Sequence, residues 1–171
     1  MLIQQRVDSG GAFNRSWQEY KVGFNDTIGN YWLGNELLSQ LTYEHGHYRL
    51  RFDLEGLDHT WYYAEYRFFF LSSEATNYTV RISGYTGNLY NEFSYHNEMM
   101  FTTYDRDNDP WTYVDRKYKN NCAVLHGGGF WYNGCSRADV TRKYHFRWYK
   151  GRTRRRHNWQ YLKTSRMWLT C

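Results

Sequence analysis

The residues most suited to metal chemistry form an acidic run, Asp105-Arg106-Asp107-Asn108-Asp109-Pro110. Three carboxylates at alternate positions repel one another unless water or a cation neutralises them, and oxygen-rich clusters are the ligands that Ca²⁺ prefers. The run is not an EF-hand, because its sixth position is Pro110 instead of glycine and its twelfth is Arg116 instead of glutamate. The sequence therefore indicates either a calcium site or a solvated polar loop.

The cysteines offer a second kind of chemistry. Cys122 and Cys135 flank the flexible run Gly127-Gly128-Gly129, and a disulfide between them could close this loop with a stabilisation of about 3 kcal/mol. Cys171 is then left over. The absence of a Cys-x-x-Cys motif argues against a zinc site and a thioredoxin-like redox pair. A disulfide would indicate an oxidising compartment, and three sequons are compatible with secretion, at Asn14, Asn25 and Asn77.

Basic residues are concentrated at the C-terminal end. Residues 1–136 carry 11 Lys and Arg against 16 Asp and Glu, whereas residues 137–171 carry 11 against the single Asp139. This gives an acidic body of −5 and a basic segment of +10. Such a segment indicates either a patch for an anionic polymer, such as a sulfated glycan or nucleic acid, or a solvated loop.

Several classes of protein are not supported by the sequence. It has no Gly-x-Ser-x-Gly elbow and no phosphate-binding loop, so we predict that it is not an enzyme. No apolar run approaches the roughly 20 residues of a membrane span. The first residues lack the pattern of a signal peptide, so a secreted form is expected to be mature, truncated or an excised domain.

The elements that position these groups follow from periodicity in a chain of 171 residues in which 21% are aromatic. The length predicts one domain. The capping box Ser16-Trp17-Gln18-Glu19 predicts a helix to residue 22, and Asn35 is expected to cap a second short helix. Strands are predicted over residues 47–55, 60–71 and 77–85, with Tyr48, Leu50, Phe52, Leu54, Tyr78, Val80 and Ile82 facing inward. Long loops are expected from residue 86 onward.

A series of motifs resembles the fibrinogen-like C-terminal domains, in the order that the family has them. The matching segments are Ile3–Asp8, Phe13–Phe24, Tyr31–Asn35, Ser83–Gly87, Ser94–Asn97, Met100–Thr103, Asp105–Asp109, Asn121–Val124 and Phe130–Cys135. The resemblance implies an α+β fold with a twisted antiparallel sheet, short helices and a loop-rich C-terminal region. It also implies a single, N-terminally truncated domain over residues 1–171, with a divergent basic segment at 137–171.

The resemblance further implies a calcium site and a disulfide. Family members bind Ca²⁺ through two aspartates and nearby backbone carbonyls, which correspond here to Asp107, Asp109, Trp111 and Tyr113. The disulfide joins Cys122 to Cys135. The family commonly has a cis peptide bond before the second cysteine, which would be the bond between Gly134 and Cys135.

The resemblance also implies a ligand pocket near the second cysteine, formed here by His126, Trp131, Cys135 and Ser136. In lectin-like members this pocket binds acetylated carbohydrates in innate immunity. The expected function is therefore non-catalytic, calcium-dependent, lectin-like binding of acetylated carbohydrates by a secreted oligomer. The alternative is an extracellular matrix or growth-factor-like module that binds a cell-surface or matrix protein. The sequence departs from the family at Ser136, where a histidine is usual, and in the segment that follows.

Overall fold

One antiparallel sheet organises the molecule. The computed structural model describes residues 1–8, 10–112, 120–144, 146–153 and 156–171. The strands are β1 (Leu2–Arg6), β2 (Phe24–Asn25), β3 (Tyr31–Trp32), β4 (Tyr48–Gly56), β5 (Trp61–Leu71), β6 (Val80–Gly87), β7 (Ala138–Asp139), β8 (Arg147–Thr153) and β9 (Arg156–Thr170). The helices are α1 (Trp17–Val22), α2 (Asn35–His45) and α3 (Cys122–His126), with 3₁₀ turns at Glu74–Thr76 and Phe93–His96. The predicted α+β class is confirmed.

The order of strands across the sheet is β2-β3-β1-β9-β4-β5-β6, and β8 pairs with both β7 and β9. All the pairings are antiparallel. Strands β1 and β9, which are the first and last strands of the chain, are therefore neighbours in the middle of the sheet. No helix in the described ranges has the length and apolar character that a membrane crossing requires.

Helix α1 begins as its sequence predicts. The Ser16 side chain accepts a hydrogen bond from the Glu19 backbone N–H, and the Glu19 carboxylate accepts one from the Ser16 backbone N–H at 2.8 Å. This reciprocal pair satisfies two of the donors that a helix N-terminus leaves open. The helix ends at Gly23, which has a positive φ of 94°.

Helix α2 differs from the prediction at its N-terminal end. Gly34, with φ 111°, precedes the first helical residue, and no side chain caps the helix there. The predicted cap, Asn35, lies inside the helix, and its Oδ1 instead accepts a hydrogen bond from Trp32 Nε1 at 3.1 Å. The helix runs on to His45. Asn35 is therefore committed to the aromatic core, which explains why the local capping rule fails.

The predicted alternation along β4 is confirmed: Tyr48, Leu50, Phe52 and Leu54 are all buried. Strand β6 begins at Val80, three residues later than predicted. Even so, the inward residues Tyr78, Val80 and Ile82 are buried as expected.

Strand β9 is the main element that the sequence patterns miss. Its C-terminal half lies between β1 and β4, and its N-terminal half pairs with β8. Leu162, Met167 and Leu169 are buried, but the register shifts between the pairs Glu55–Thr164 and Gly56–Leu162. This irregularity breaks the alternation on which the prediction depends. The basic segment is therefore largely two strands rather than a solvated loop.

Arg6 connects the N-terminal strand to the segment that precedes β8. The residue is 1% exposed. Its guanidinium donates to the carbonyls of Asp8, Gly10, Val140, Arg142 and Lys143. Its Cζ lies 4.1 Å from the centroid of the Phe146 ring. One buried cation therefore satisfies five backbone acceptors in two separate parts of the chain.

Candidate functional site

The three carboxylates of the acidic run have separate roles. Asp105 Oδ1 accepts hydrogen bonds from the Trp17 backbone N–H at 2.9 Å and from the Thr103 hydroxyl at 2.7 Å. Trp17 is the first residue of α1, so Asp105 helps to cap that helix. Asp105 therefore serves the fold, and Asp107 and Asp109 are the remaining candidates for a metal.

Asp109 is tied to the disulfide region by its two carboxylate oxygens. Oδ1 accepts from the Trp111 N–H and Oδ2 from the Cys122 N–H, both at 2.9 Å. Asp107 Oδ1 accepts from the Asp109 N–H at 3.3 Å. Burial raises the pKa of Asp109 to about 6; the two backbone donors oppose the shift, and the charge of Asp107 adds to it.

The chemistry of these donors fits a hard cation. Two neighbouring carboxylates interact unfavourably, and neither takes part in any ion pair seen in the described ranges. Oxygen ligands of this type suit Ca²⁺ when backbone carbonyls complete the set. The predicted ligand Tyr113 lies outside the described residues. The part of the chain that is described contains no group of three or more His, Cys, Asp or Glu residues suited to a metal.

The predicted disulfide is present. Cys122, at the start of α3, is bonded to Cys135, with a Cα–Cα distance of 5.2 Å. The peptide bond between Gly134 and Cys135 is trans, so the expected cis bond is wrong for this chain. The chain instead reverses through positive φ angles of 54° at Gly134 and 80° at Cys135, and the Asn133 N–H donates to the Cys135 carbonyl at 2.9 Å.

Two of the predicted pocket residues lie in the core. Trp131 is 0% exposed, and its Nε1 donates to the Tyr78 carbonyl at 2.8 Å. His126 is 6% exposed, and its Nδ1 lies 2.7 Å from Asp139 Oδ2. Burial lowers the pKa of His126, while Asp139 opposes that shift. Both side chains are therefore part of the packed interior of the described structure, and neither lines the two pockets described below.

An open pocket of about 200 Å³ nevertheless adjoins the disulfide. Its lining residues are Tyr95, Gly134, Ser136, Arg137, Tyr149, His157 and Trp159. Ser136, which we predicted as a ligand contact, is one of them. Cys135 lies between two lining residues, and its sulfur belongs to the disulfide. Ser136 thus lines the cavity, whereas the side chains of Trp131 and His126 are not among its lining residues.

A buried histidine holds the backbone of this pocket. His96 Nε2 accepts hydrogen bonds from the N–H groups of Arg137 and Ala138 at 3.2 and 3.3 Å, and Nδ1 donates to the Trp131 carbonyl at 2.6 Å. Burial lowers the pKa of His96 to about 4, so the ring is neutral at physiological pH. Neutral imidazole has one donor and one acceptor nitrogen, as these contacts require. His96 therefore positions the segment that carries Arg137.

The outer wall comes from the β8–β9 hairpin. Tyr149 and Trp159 meet edge to face, with ring centroids 5.0 Å apart. The Tyr149 hydroxyl lies 3.3 Å from His157 Nδ1. Sequence reasoning missed these residues together with Tyr95 and Arg137. Tyr149 lies opposite Trp159 on the paired strands. This pairing could be recognised only after both strands had been identified.

A larger groove of about 540 Å³ lies elsewhere, along α2 and the end of β5. Glu36, Gln40, Tyr43 and Phe70 contribute to its lining. None of the predicted site residues is among its lining residues. Of these two pockets, the smaller one has a predicted ligand-binding residue, Ser136, in its lining.

Comparison with known proteins gives a consistent result. A family model described as the C-terminal globular domain of fibrinogen beta and gamma chains matches residues 1–170. The human fibrinogen alpha chain is 39% identical over 160 residues, covering 85% of this chain and 17% of that protein. Human angiopoietin-related protein 7 is 37% identical over 145 residues, covering 84% of this chain and 39% of that protein. The chain thus spans well under half of these relatives.

Solved structures agree with the sequence matches. The fibrinogen-like globe domain of human ANGPTL2 has a TM-score of 0.81 and 34% identity, covering 99% of this chain and 78% of that one. Lamprey fibrin D-dimer, solved with the peptide ligand Gly-His-Arg-Pro-amide, has a TM-score of 0.78 and 32% identity, covering 98% and 60%. The predicted resemblance and fold are both confirmed.

Proposed function

Because the chain belongs to the family of fibrinogen C-terminal globular domains, we propose that it is an extracellular protein-interaction module. Members of this family are binding and structural modules, and the chain is not an enzyme. The proposed activity is binding of a peptide segment of a partner protein. The proposed site is the pocket between Ser136, Arg137 and the β8–β9 hairpin.

The observation that supports this proposal is the composition of the open pocket. Tyr95, Tyr149 and Trp159 present aromatic surface, and Arg137 and Ser136 add polar groups. Aromatic residues and arginine are typical of sites where proteins recognise proteins. The predicted acetyl-sugar contact with Trp131 receives no support, since that ring is enclosed in the core. Peptide recognition therefore accounts for the accessible residues better than the lectin-like alternative does.

Selection from a random peptide library tests this function. Enriched peptides should bind the full chain and lose most of their affinity for the variant Tyr149→Ala, because an interface aromatic of this kind commonly contributes about 2 kcal/mol or more. Titration calorimetry measures both affinities. Trp61→Ala, at a 53% exposed site on β5, is the control and should bind normally.

Lectin-like binding of acetylated sugars predicts the opposite binding results. N-acetylglucosamine would then give a binding signal that Tyr149→Ala weakens, and the library would yield no peptide specific for the pocket. That pair of results would overturn the proposed function.

We also propose that Asp107 and Asp109 bind Ca²⁺ together with the carbonyls of Trp111 and Tyr113. The ion would supply positive charge to two neighbouring carboxylates. Its effect would reach the pocket through Asp109, whose Oδ2 accepts from the N–H of Cys122, the partner of Cys135 in the disulfide. Calcium is thus proposed to stabilise the pocket indirectly, without contacting the ligand.

Thermal unfolding in Ca²⁺ and in EDTA measures this effect. Extracellular calcium modules bind with a Kd of about 10⁻⁴ to 10⁻³ M, so about 10 mM Ca²⁺ should raise the Tm by about 3–10 °C. Asp107→Asn should abolish the rise. Asp58→Asn, which alters an exposed carboxylate that accepts from Thr60, should preserve it. An identical Tm for the unmodified chain in Ca²⁺ and EDTA would exclude the site.

We also propose that the chain is secreted and carries N-linked glycans. Asn14 and Asn25 are exposed and available as acceptors. The Asn77 amide is already engaged, because its Oδ1 accepts from Arg106 at 2.7 Å and its Nδ2 donates to the Met100 sulfur at 3.2 Å. We therefore propose Asn14 and Asn25 as the glycosylated positions. An oligomeric full-length protein is also proposed, since several copies raise the avidity of a weak site.

A further inference from the structure

We propose that the pocket beside the disulfide selects a carboxylate group on the partner peptide, with Arg137 as the residue that determines this specificity. The inference rests on the proposed function for the identity of the pocket. What it adds is the chemical class of the ligand. The argument depends on the packing of Arg137, on the charges that surround it and on an unpaired hydroxyl group beside it.

The guanidinium of Arg137 is held by aromatic rings. Its Cζ lies 4.2 Å from the centroid of the Tyr95 ring and 5.5 Å from that of Tyr149. The side chain is still 48% exposed. Contact with two rings restricts the rotamers of a long side chain, so less conformational entropy remains to be lost on binding. A planar guanidinium held in this way has the geometry for bidentate contact with a carboxylate.

The charges around Arg137 favour an anion. No Asp or Glu is among the lining residues. Among the ion pairs of the described residues, Arg137 pairs with Glu92, whose Oε2 lies 3.6 Å from Arg137 Nη1. Behind the outer wall, Arg147 Cζ lies 3.8 Å from the Trp159 ring centroid. The charge of Arg147 is partly offset by the nearby Asp139. Arg137 is therefore the charged side chain of the pocket lining, and its charge would disfavour a cationic ligand.

Ser136 supplies a second polar group. Its Oγ is buried and has no hydrogen-bond partner within the described structure, although Ser136 is one of the lining residues of the pocket. A buried hydroxyl without a partner carries an energetic cost that a ligand acceptor can relieve. A carboxylate has two acceptor oxygens, so one could meet Arg137 while the other accepts from Ser136 once rotation of its side chain turns the hydroxyl into the pocket.

The size of the pocket limits what enters it. At about 200 Å³ it lies below the roughly 300–1,000 Å³ of pockets that enclose a drug-sized ligand. It therefore suits one acidic group of a peptide, with the rest of the peptide outside. That group is either the side chain of Asp or Glu or a C-terminal carboxylate, and both have the same chemistry.

NMR titration of the ¹⁵N-labelled full chain tests the inference through the indole signal of Trp159 and the backbone signal of Ser136. The probes are acetyl-Gly-Gly-Glu-Gly-Gly-amide, its Gln and Lys counterparts, and acetyl-pentaglycine with a free C-terminus. We expect the Glu peptide or the peptide with a free C-terminus to shift these signals. Which of the two peptides shifts them shows whether the pocket takes a side-chain carboxylate or a C-terminal one. The Gln and Lys peptides should not shift them.

Two variants of the chain complete the design. Arg137→Gln should weaken binding of the carboxylate peptide about tenfold or more, since a charge-assisted hydrogen bond is lost. Arg81→Gln, the same change at an exposed position on β6, should leave the affinity within about twofold. Circular dichroism verifies that both variants are folded.

Each of the other outcomes contradicts the inference, and together they distinguish failure of carboxylate selection from failure of the proposed function. If the Gln peptide binds as well as the Glu peptide, carboxylate selection fails but the peptide-binding function stands. The same holds if Arg137→Gln binds normally. If no peptide shifts the pocket signals, the carboxylate inference fails, and failure of the library selection as well would remove the proposed function. A sulfated heparin disaccharide is titrated as a further probe, and a shift that it alone produces would assign the site to an anionic glycan instead.

Discussion

Replacing Trp131 with alanine is expected to lower the free energy of unfolding by about 3–5 kcal/mol, the range for deletion of a large buried aromatic side chain. The ring is 0% exposed, and its centroid lies 5.1 Å from that of Phe101, 5.4 Å from that of Phe130 and 6.0 Å from that of Trp32. The substitution would leave a cavity among these rings. It would also leave the Tyr78 carbonyl without its donor, Trp131 Nε1.

Urea unfolding followed by circular dichroism measures the loss. Trp61→Ala, at a 53% exposed position, is the matched control and should cost no more than about 0.5 kcal/mol. A loss below about 1 kcal/mol for Trp131→Ala, combined with loss of ligand binding, would contradict the buried placement and restore Trp131 as a pocket wall.

The second large effect is expected at Arg6, where methionine should reduce stability by about 3 kcal/mol or more. The substitution leaves five backbone carbonyls without their donor, including those of Val140 and Lys143. Burial lowers the pKa of Arg6 to about 10, with Asp139 and Asp8 opposing the shift, so the side chain is charged at neutral pH. The loss combines unpaired acceptors with removal of a buried charge near two carboxylates.

Urea unfolding again gives the size of the effect, and hydrogen exchange gives its location. Faster exchange is expected first at the amides of residues 141–143, since Arg6 bonds to carbonyls within this segment. Arg81→Met, at an exposed position, should change stability by less than about 0.5 kcal/mol. Equal stability losses for Arg6→Met and Arg81→Met would show that the contacts of Arg6 contribute little.

Local patterns were sufficient for several elements of this fold. The capping box at Ser16 and Glu19 involves groups three residues apart, so their types and spacing already specify the hydrogen bonds. The alternation along β4 likewise encodes which face is buried, because successive side chains point to opposite sides of a strand. The motifs from Ile3 to Cys135 also predicted the family, which the comparisons confirm.

Long-range packing decided the rest. Trp131 and Trp159 are the same residue type, yet one is enclosed by aromatic rings and the other lines a pocket. The spacing of the acidic run does not distinguish its three carboxylates, and the family resemblance selected Asp107 and Asp109. The position of α1 then shows what Asp105 does, since it accepts from the Trp17 N–H.

The pocket itself combines a 3₁₀ turn, the loop after Cys135 and the β8–β9 hairpin, which are distant in sequence. The sequence determined the family, the local helix and strand signals and the candidate calcium ligands, because these depend on the types and spacing of nearby residues. Only the tertiary structure decided which aromatic residues are accessible and that Arg137 faces an open cavity, because burial depends on contacts between segments whose separation along the chain carries no local signal.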